Sequence, residues 1–149
     1  MRAVVQRVAR AEVRVEGRVI GSIGKGLLAY IGVERGDGPA DIEFISTKLR
    51  SMRVFEDSNN RMNLDVGEIK GGFLIISQFT LHGDLRKGRR PSFDAAEEPG
   101  RAQELYGALI RNLSETGLTV EAGSFGAHME VDSVNDGPVT MLLDSRKIF

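Results

Sequence analysis

The chain contains no cysteine. That excludes a disulfide scaffold, a thiolate nucleophile and a cysteine-ligated metal site. Histidine is scarce, with only His82 and His128. Neither has a carboxylate or second histidine at metal-ligand spacing, so no metal and no other cofactor is expected. An excess of either charge is also lacking: 20 Lys and Arg stand against 21 Asp and Glu, a formal net charge of -1. No global field draws such a protein onto nucleic acid, so any RNA contact must rest on local patches that neutralise few phosphates. No apolar run is long enough for a signal peptide or a membrane span, and Met1 leads straight into an alternating strand pattern. The expectation is a cytoplasmic protein without membrane contact. Its 149 residues, 41% of them hydrophobic, suffice for one domain (1–149) with a substantial core.

Strand patterns dominate what is present. Residues 2–8 read as one strand. Residues 11–15 read as a second, with Ala11, Val13 and Val15 on one face and Glu12 and Arg14 on the other. Glu16-Gly17 is a hairpin turn into Arg18–Ile23, and Leu27–Val33 is a buried apolar strand. Gly21, Gly24 and Gly26 resemble a phosphate loop only superficially, because no Gly-Lys-Ser/Thr follows and the next element is a strand. Pro39 suits a first helical position, and Ile42, Ile45, Leu49 and Met52 recur at helical spacing, predicting a helix over 39–52. A short strand over 53–56, a turn over 57–60 and a return over 62–66 follow. Pro99 opens a second helix, with Ala102, Leu105, Tyr106, Leu109, Ile110 and Leu113 as its apolar stripe and Gly117 in the capping region. Tyr106 reads as core. The last third reads as strands over 119–122, 125–134 and 139–144, with Asn135-Asp136-Gly137-Pro138 as a turn between the last two. The fold class expected is α+β: an antiparallel or mixed sheet curled into a barrel-like core, with two amphipathic helices.

The chemistry gathers around residues 71–93. Gly71-Gly72 opens the apolar run Phe73–Ile76, the pattern of a strand buried on both faces. The run ends in Ser77, Gln78 and Thr80, which a buried strand does not need unless its end floors a pocket. Hydroxyls, an amide and backbone N–H groups at a strand end are the parts of an oxyanion hole. No Gly-x-Ser-x-Gly elbow surrounds Ser77, so a hydrolase of the usual Ser-His-Asp type is not indicated. His82 lies near this presumed pocket and is a general-base candidate by position. His128 reads as a surface or partly packed strand residue. Arg86, Lys87, Arg89 and Arg90 form the densest cationic cluster of the chain, suited to an anionic substrate. Gly137-Pro138, with Thr140 two residues beyond, is the second anchor. An X-Pro bond can be cis, and its carbonyls then make a side-chain-free receptor for an ammonium group.

Ser77-Gln78-Phe79-Thr80-Leu81 together with Asn135-Asp136-Gly137-Pro138-Val139-Thr140 resembles the paired signature of the D-aminoacyl-tRNA deacylases. The loop from Arg86 to Phe93, the opening Met1–Val8 and the order of elements are similar as well, so the likeness spans the chain. His82 departs from it, standing where a tyrosine is expected, and Arg89 stands where a smaller polar residue is expected. The resemblance implies a homodimeric hydrolase acting on aminoacyl-tRNA, with active sites at the subunit interface. Gly137 and Pro138 of one subunit, joined by a cis bond, would enter the other's pocket and select against L-amino acids. Ser77, Gln78 and Thr80 would be the catalytic set. Phe79, Phe93 and Thr140 would join Gly137 and Pro138 in binding substrate, with the two phenylalanines framing the terminal adenosine. Arg86, Lys87, Arg89 and Arg90 would meet tRNA phosphates. Two routes to the ester carbonyl are open. Thr80 attacks it, or water attacks it with help from the ribose hydroxyl while backbone N–H groups near Phe79 and Thr80 hold the oxyanion. Two other readings use the same residues: an esterase for small D-amino acid esters, and a non-catalytic module that binds RNA ends.

Overall fold

The computed structural model describes residues 1–148. β1 (Arg2–Val15) is its spine. One edge of β1 pairs first with β3 (Gly26–Gly32) and then with β2 (Arg18–Ile23). Its other edge pairs with β8 (Glu130–Asp144) from Arg2↔Asp144 to Arg14↔Glu130. Beyond β3 lie β6 (Gly72–Ser77) and β7 (Thr119–Ala122), both parallel to their neighbours, so the sheet is mixed, in the order β2-β1-β3-β6-β7. It curls until β7 approaches β2. A Cβ at Gly21 would lie 3.1 Å from the Ala122 carbonyl oxygen, so the near-closure depends on the missing side chain. β4 (Phe55–Glu56) and β5 (Met62–Leu64) form a separate small hairpin.

Two cores share the central strands. On one face Ala3, Val5, Leu27, Ala29, Phe73 and Ile75 meet the apolar stripes of α1 (Pro39–Ser51) and α2 (Pro99–Ser114). On the other face Val8, Ala11, Val13, Ile23, Leu28, Leu74 and Ile76 fill the curl of the sheet. The expectation that Phe73–Ile76 is buried on both faces holds, because helices cover one side of β6 and the rest of the barrel the other. Each such fully buried side chain stabilises the fold by roughly 1.5–3 kcal/mol. Glu16 and Gly17 both have positive φ, 50° and 77°, the geometry of a tight hairpin turn. Among the described residues no helix is long and apolar enough to cross a membrane.

Three sequence expectations need correction. Residues 2–8 and 11–15 are one strand, held continuous by β8 along its whole length, with pairing irregularities around Val8 that swing it from one core to the other. Residues 125–129 are loop: Gly126 has φ 75°, and Ala127 N–H turns back to the Ser124 carbonyl. Asn135-Asp136-Gly137-Pro138 is no chain reversal. β8 runs straight through it, because Val8↔Asn135 and Gln6↔Thr140 leave residues 136–139 bulged opposite Arg7.

That bulge replaces its lost ladder bonds with side chains. Val139 N–H donates to Asn135 Oδ1 at 2.9 Å, and Asn135 Nδ2 donates to Thr140 Oγ1 at 3.2 Å. From the opposite strand, the buried Arg7 donates through Nε to the Asp136 carbonyl (3.0 Å) and through Nη1 to the Val54 carbonyl (2.7 Å). The Gly137-Pro138 bond is cis. Gly137 has φ 132°, a conformation open to glycine, and a Cβ there would lie 3.0 Å from Arg7 Nη2.

Candidate active site

β6 leaves the sheet at Ser77. Gln78 N–H extends the parallel ladder by one bond to the Ile31 carbonyl (2.7 Å), and the chain then coils into a 3-10 turn, Phe79–His82. This abrupt exit lifts the polar end of a wholly buried strand to the surface. It opens on a cavity of about 450 Å³. Ile76, Ser77, Gln78 and Phe79 form one wall, and Ala96, Glu97 and the start of α2 another. The loop from Phe125 to Met129 closes the third side. The lining is mainly apolar, with a few convergent polar groups, the usual make-up of a ligand site.

Of the residues expected at the site, Ser77, Gln78 and Phe79 line this cavity together. Thr80 stands beside it, exposed, and its Oγ1 accepts a hydrogen bond from the Gln78 side-chain amide. Phe79 is 57% exposed and meets Phe93 edge to face, with ring centroids 4.9 Å apart. Phe93 is delivered by a bridge between Asp84 and Ser92 that closes the basic loop at its base. Two N–H groups at the start of the 3-10 turn, those of Phe79 and Thr80, have no protein acceptor among the described residues. Such orphan donors are the normal state of a helical first turn.

The basic loop is exposed. Arg86 is folded back on Asp84, donating to both carboxylate oxygens, and holds the Asp84 carboxyl down at about 2. Among the described residues Lys87, Arg89 and Arg90 have no carboxylate partner, so they are the charges left for an outside anion.

Gly137, Pro138 and Thr140 do not join the cavity. They are exposed on the β8 bulge, with Thr140 Oγ1 also receiving Gln6 Nε2 at 3.3 Å. Within one chain the two signature stretches therefore stay apart. His82 is not placed as a base for the cavity: it is buried at 3% exposure, with its ring against Gly32. Tyr106 is core, as expected. Its hydroxyl donates to the Ile75 carbonyl at 2.7 Å, and burial pushes the phenol well above its ordinary value.

Sequence reasoning missed the third wall. Phe125, Ala127, His128 and Met129 face the cavity from it, as Glu97 does from the second wall. Gly123 and Gly126 were the available signal, since two glycines in four residues interrupt a strand pattern.

The match to the family described as D-Tyr-tRNA(Tyr) deacylase spans residues 4–144. The D-aminoacyl-tRNA deacylase of Anaeromyxobacter dehalogenans (strain 2CP-C) is 56% identical over 149 residues, covering 100% of both chains. That of Koribacter versatilis (strain Ellin345) is 53% identical over 149 residues, again covering 100% of both. A solved structure described as a c-Myc DNA Unwinding Element Binding Protein superposes with a TM-score of 0.91 at 37% identity, over 97% of this chain and 98% of that one. A probable eukaryotic D-amino acid tRNA deacylase shares the fold, with a TM-score of 0.78 at 17% identity over 95% and 97% of the two chains. The family match and the kinship over 149 residues agree: this chain belongs to the D-Tyr-tRNA(Tyr) deacylase family.

Proposed function

We infer that this protein hydrolyses the ester bond between a D-amino acid and the terminal ribose of tRNA, releasing both. The observation that carries the reading is the polar end of β6, opening into an apolar cavity of about 450 Å³ beside a cationic loop, in a chain of this family. The ester carbonyl sits at Ser77, Gln78 and the Phe79 and Thr80 N–H groups, and the terminal adenosine lies along Phe79 and Phe93. Water attacks with help from the neighbouring ribose hydroxyl, while those N–H groups stabilise the oxyanion. Two observations favour this route over attack by Thr80. The Gln78 amide occupies one lone pair of the Thr80 hydroxyl, and His82, the base expected by position, is buried and does not line the cavity. A threonine nucleophile needs a base to take its proton.

The working unit is a homodimer in which Gly137 and Pro138 of one subunit enter the cavity of the other. What supports this is their exposure on β8, next to uncovered apolar side chains on the same strand: Val134 at 42%, Met141 at 37% and Leu142 at 59%. Enantiomers have equal apolar area, so only geometry separates them. A main-chain receptor holds the α-ammonium in one place and leaves no room where an L side chain would point. Glycine has no side chain to exclude, so glycyl-tRNA is also cleaved. The enzyme works in the cytoplasm, where its substrate is.

The test is deacylation of matched D-Tyr-tRNA, L-Tyr-tRNA and glycyl-tRNA by the purified protein with a chelator present. The expected outcome is rapid loss of the D and glycyl esters alone. Equal loss of D and L would indicate a general esterase, and no loss of any a module that only binds RNA ends.

A further inference from the structure

His82 is the last residue of the 3-10 turn that carries Phe79 and Thr80. It is 3% exposed, and both of its ring nitrogens are buried without a hydrogen-bond partner among the described residues. Polar atoms are seldom left so. The ring is wedged against β3: a Cβ at Gly32 would lie 3.0 Å from both Cδ2 and Nε2. The next turn of chain offers one answer to the orphaned nitrogens. Glu34 Oε2 is likewise buried without a partner, while Oε1 pairs with Arg146 at 3.0 Å.

Three charges bear on the imidazole from outside its own segment. From just beyond β3 there is Glu34, an attraction for a cation. From β1 there is Arg2, which donates through Nη1 to the Leu81 carbonyl of the same turn at 3.2 Å and pairs with Asp144 at 2.8 Å. From the amino terminus there is the Met1 ammonium, itself paired with Asp37 at 2.8 Å. From its own segment the nearest acid is Asp84, already occupied by Arg86.

We propose that His82 is a positioning residue for the deacylation: its neutral ring, wedged on Gly32, holds Phe79 and Thr80 at the cavity mouth, and its protonation releases them. The inference rests on the activity proposed above. An imidazolium in this site is cut off from water, is drawn toward the Gly32 backbone and Glu34, and is repelled by Arg2 and the amino terminus. His82 ends the turn, so it cannot follow that pull without carrying the turn along. Burial pushes the imidazole below its ordinary value; the Gly32 backbone and Glu34 oppose this, and Arg2 and the amino terminus add to it. The sign follows. The native state takes up the proton at a lower pH than the unfolded or opened chain, so the closed turn is favoured at neutral pH and loses ground as pH falls below about 6.5.

Two measurements test this on the intact protein. The first is an NMR titration. The histidine signal missing in His82→Phe should titrate below the ordinary value, and the backbone amides of Phe79 and Thr80 should shift with the same midpoint. The second is the ratio of wild-type to His82→Phe kcat on D-Tyr-tRNA, which cancels the pH dependence of the ester itself. That ratio should fall about fivefold or more from about pH 7.5 to about pH 5, with KM changing less. His82→Asn serves in its place should the phenylalanine variant not fold. A flat ratio, or amides of Phe79 and Thr80 that ignore the His82 titration, would overturn the proposal. Absence of D-Tyr-tRNA cleavage at neutral pH would instead count against the activity, and the NMR titration would still judge His82.

Discussion

Thr80 and Gln78 show how much a single hydrogen bond decides. The Thr80 oxygen accepts from Gln78 at the cavity mouth, and in the proposed mechanism the Thr80 hydroxyl is a polar neighbour of the substrate and not the nucleophile. Thr80→Ala should therefore slow single-turnover deacylation by about tenfold, the scale of one neutral hydrogen bond, without abolishing it. Complete loss of turnover would restore Thr80 as the nucleophile. Asp144 matters for a different property, stability against acid. Burial opposes its ionisation, but hydrogen bonds from Arg2 and from Arg146 N–H outweigh that and hold its carboxyl below the usual range. The unfolded chain takes up this proton near pH 3.9, so the contribution is fully present above that pH and is lost as pH falls through the lower native value. The difference in unfolding free energy between wild type and Asp144→Asn should hold steady from about pH 7 to about pH 5 and shrink below about pH 4. Urea titrations at each pH would measure it. The aspartate was visible in the sequence; its partner, 142 positions away, was not.

At the scale of elements, β6 was legible, and of β8 everything but its continuity through residues 135–138. An unbroken apolar run between two glycines and three polar residues admits few readings, and the buried strand of the structure matches it. Asn135-Asp136-Gly137-Pro138 has the composition of a turn. What keeps it inside a strand is pairing to β1 on both sides and the Arg7 guanidinium between, contacts made by residues more than a hundred positions earlier. The loop at 125–129 escaped for a related reason: its rim position depends on α2 and β6 standing opposite. The basic loop is exposed, but its charge is smaller than its composition suggests, because Arg86 is occupied by Asp84. Lys87, Arg89 and Arg90 remain for phosphate. Replacing those three with Glu should raise KM for D-Tyr-tRNA by about tenfold or more and lower kcat far less, since phosphate contacts position a substrate without entering its chemistry. Equal effects on both constants would argue against a positioning role.

For the whole molecule, the placement of the two signature stretches is the central fact. One chain does not bring Gly137-Pro138 to its own Ser77–Phe79 wall, because β8 and the end of β6 lie in different parts of the sheet. The proposed homodimer would do so with a second copy. A Gly137→Ala variant places a Cβ 2.8 Å from the Val139 side chain and distorts the bulge, while a Phe79→Ala variant damages the cavity wall. Each alone should have low activity. Unfolded and refolded together in equal amounts, half the dimers would be mixed and each would carry one intact site, so about one quarter of wild-type activity should return. No recovery, with both variants folded by circular dichroism and dimeric by sedimentation, would place the complete site within one chain.

By itself the sequence determined the local properties of this protein: the strands and helices with clear periodicity, the double burial of Phe73–Ile76, and the clustering of hydroxyls, amide and cations between Ser77 and Arg90. Those follow from spacing and side-chain chemistry within a few residues. Only the tertiary structure decided which of them meet. It put Phe125–Met129 across from Ser77, withdrew His82 beneath the turn and carried Gly137-Pro138 outward on a bulge clasped by Arg7. The physical reason is that each of these placements is settled by sheet pairing and side-chain geometry. Strand pairing and burial obey constraints set by residues far away in the chain, and no local pattern encodes them.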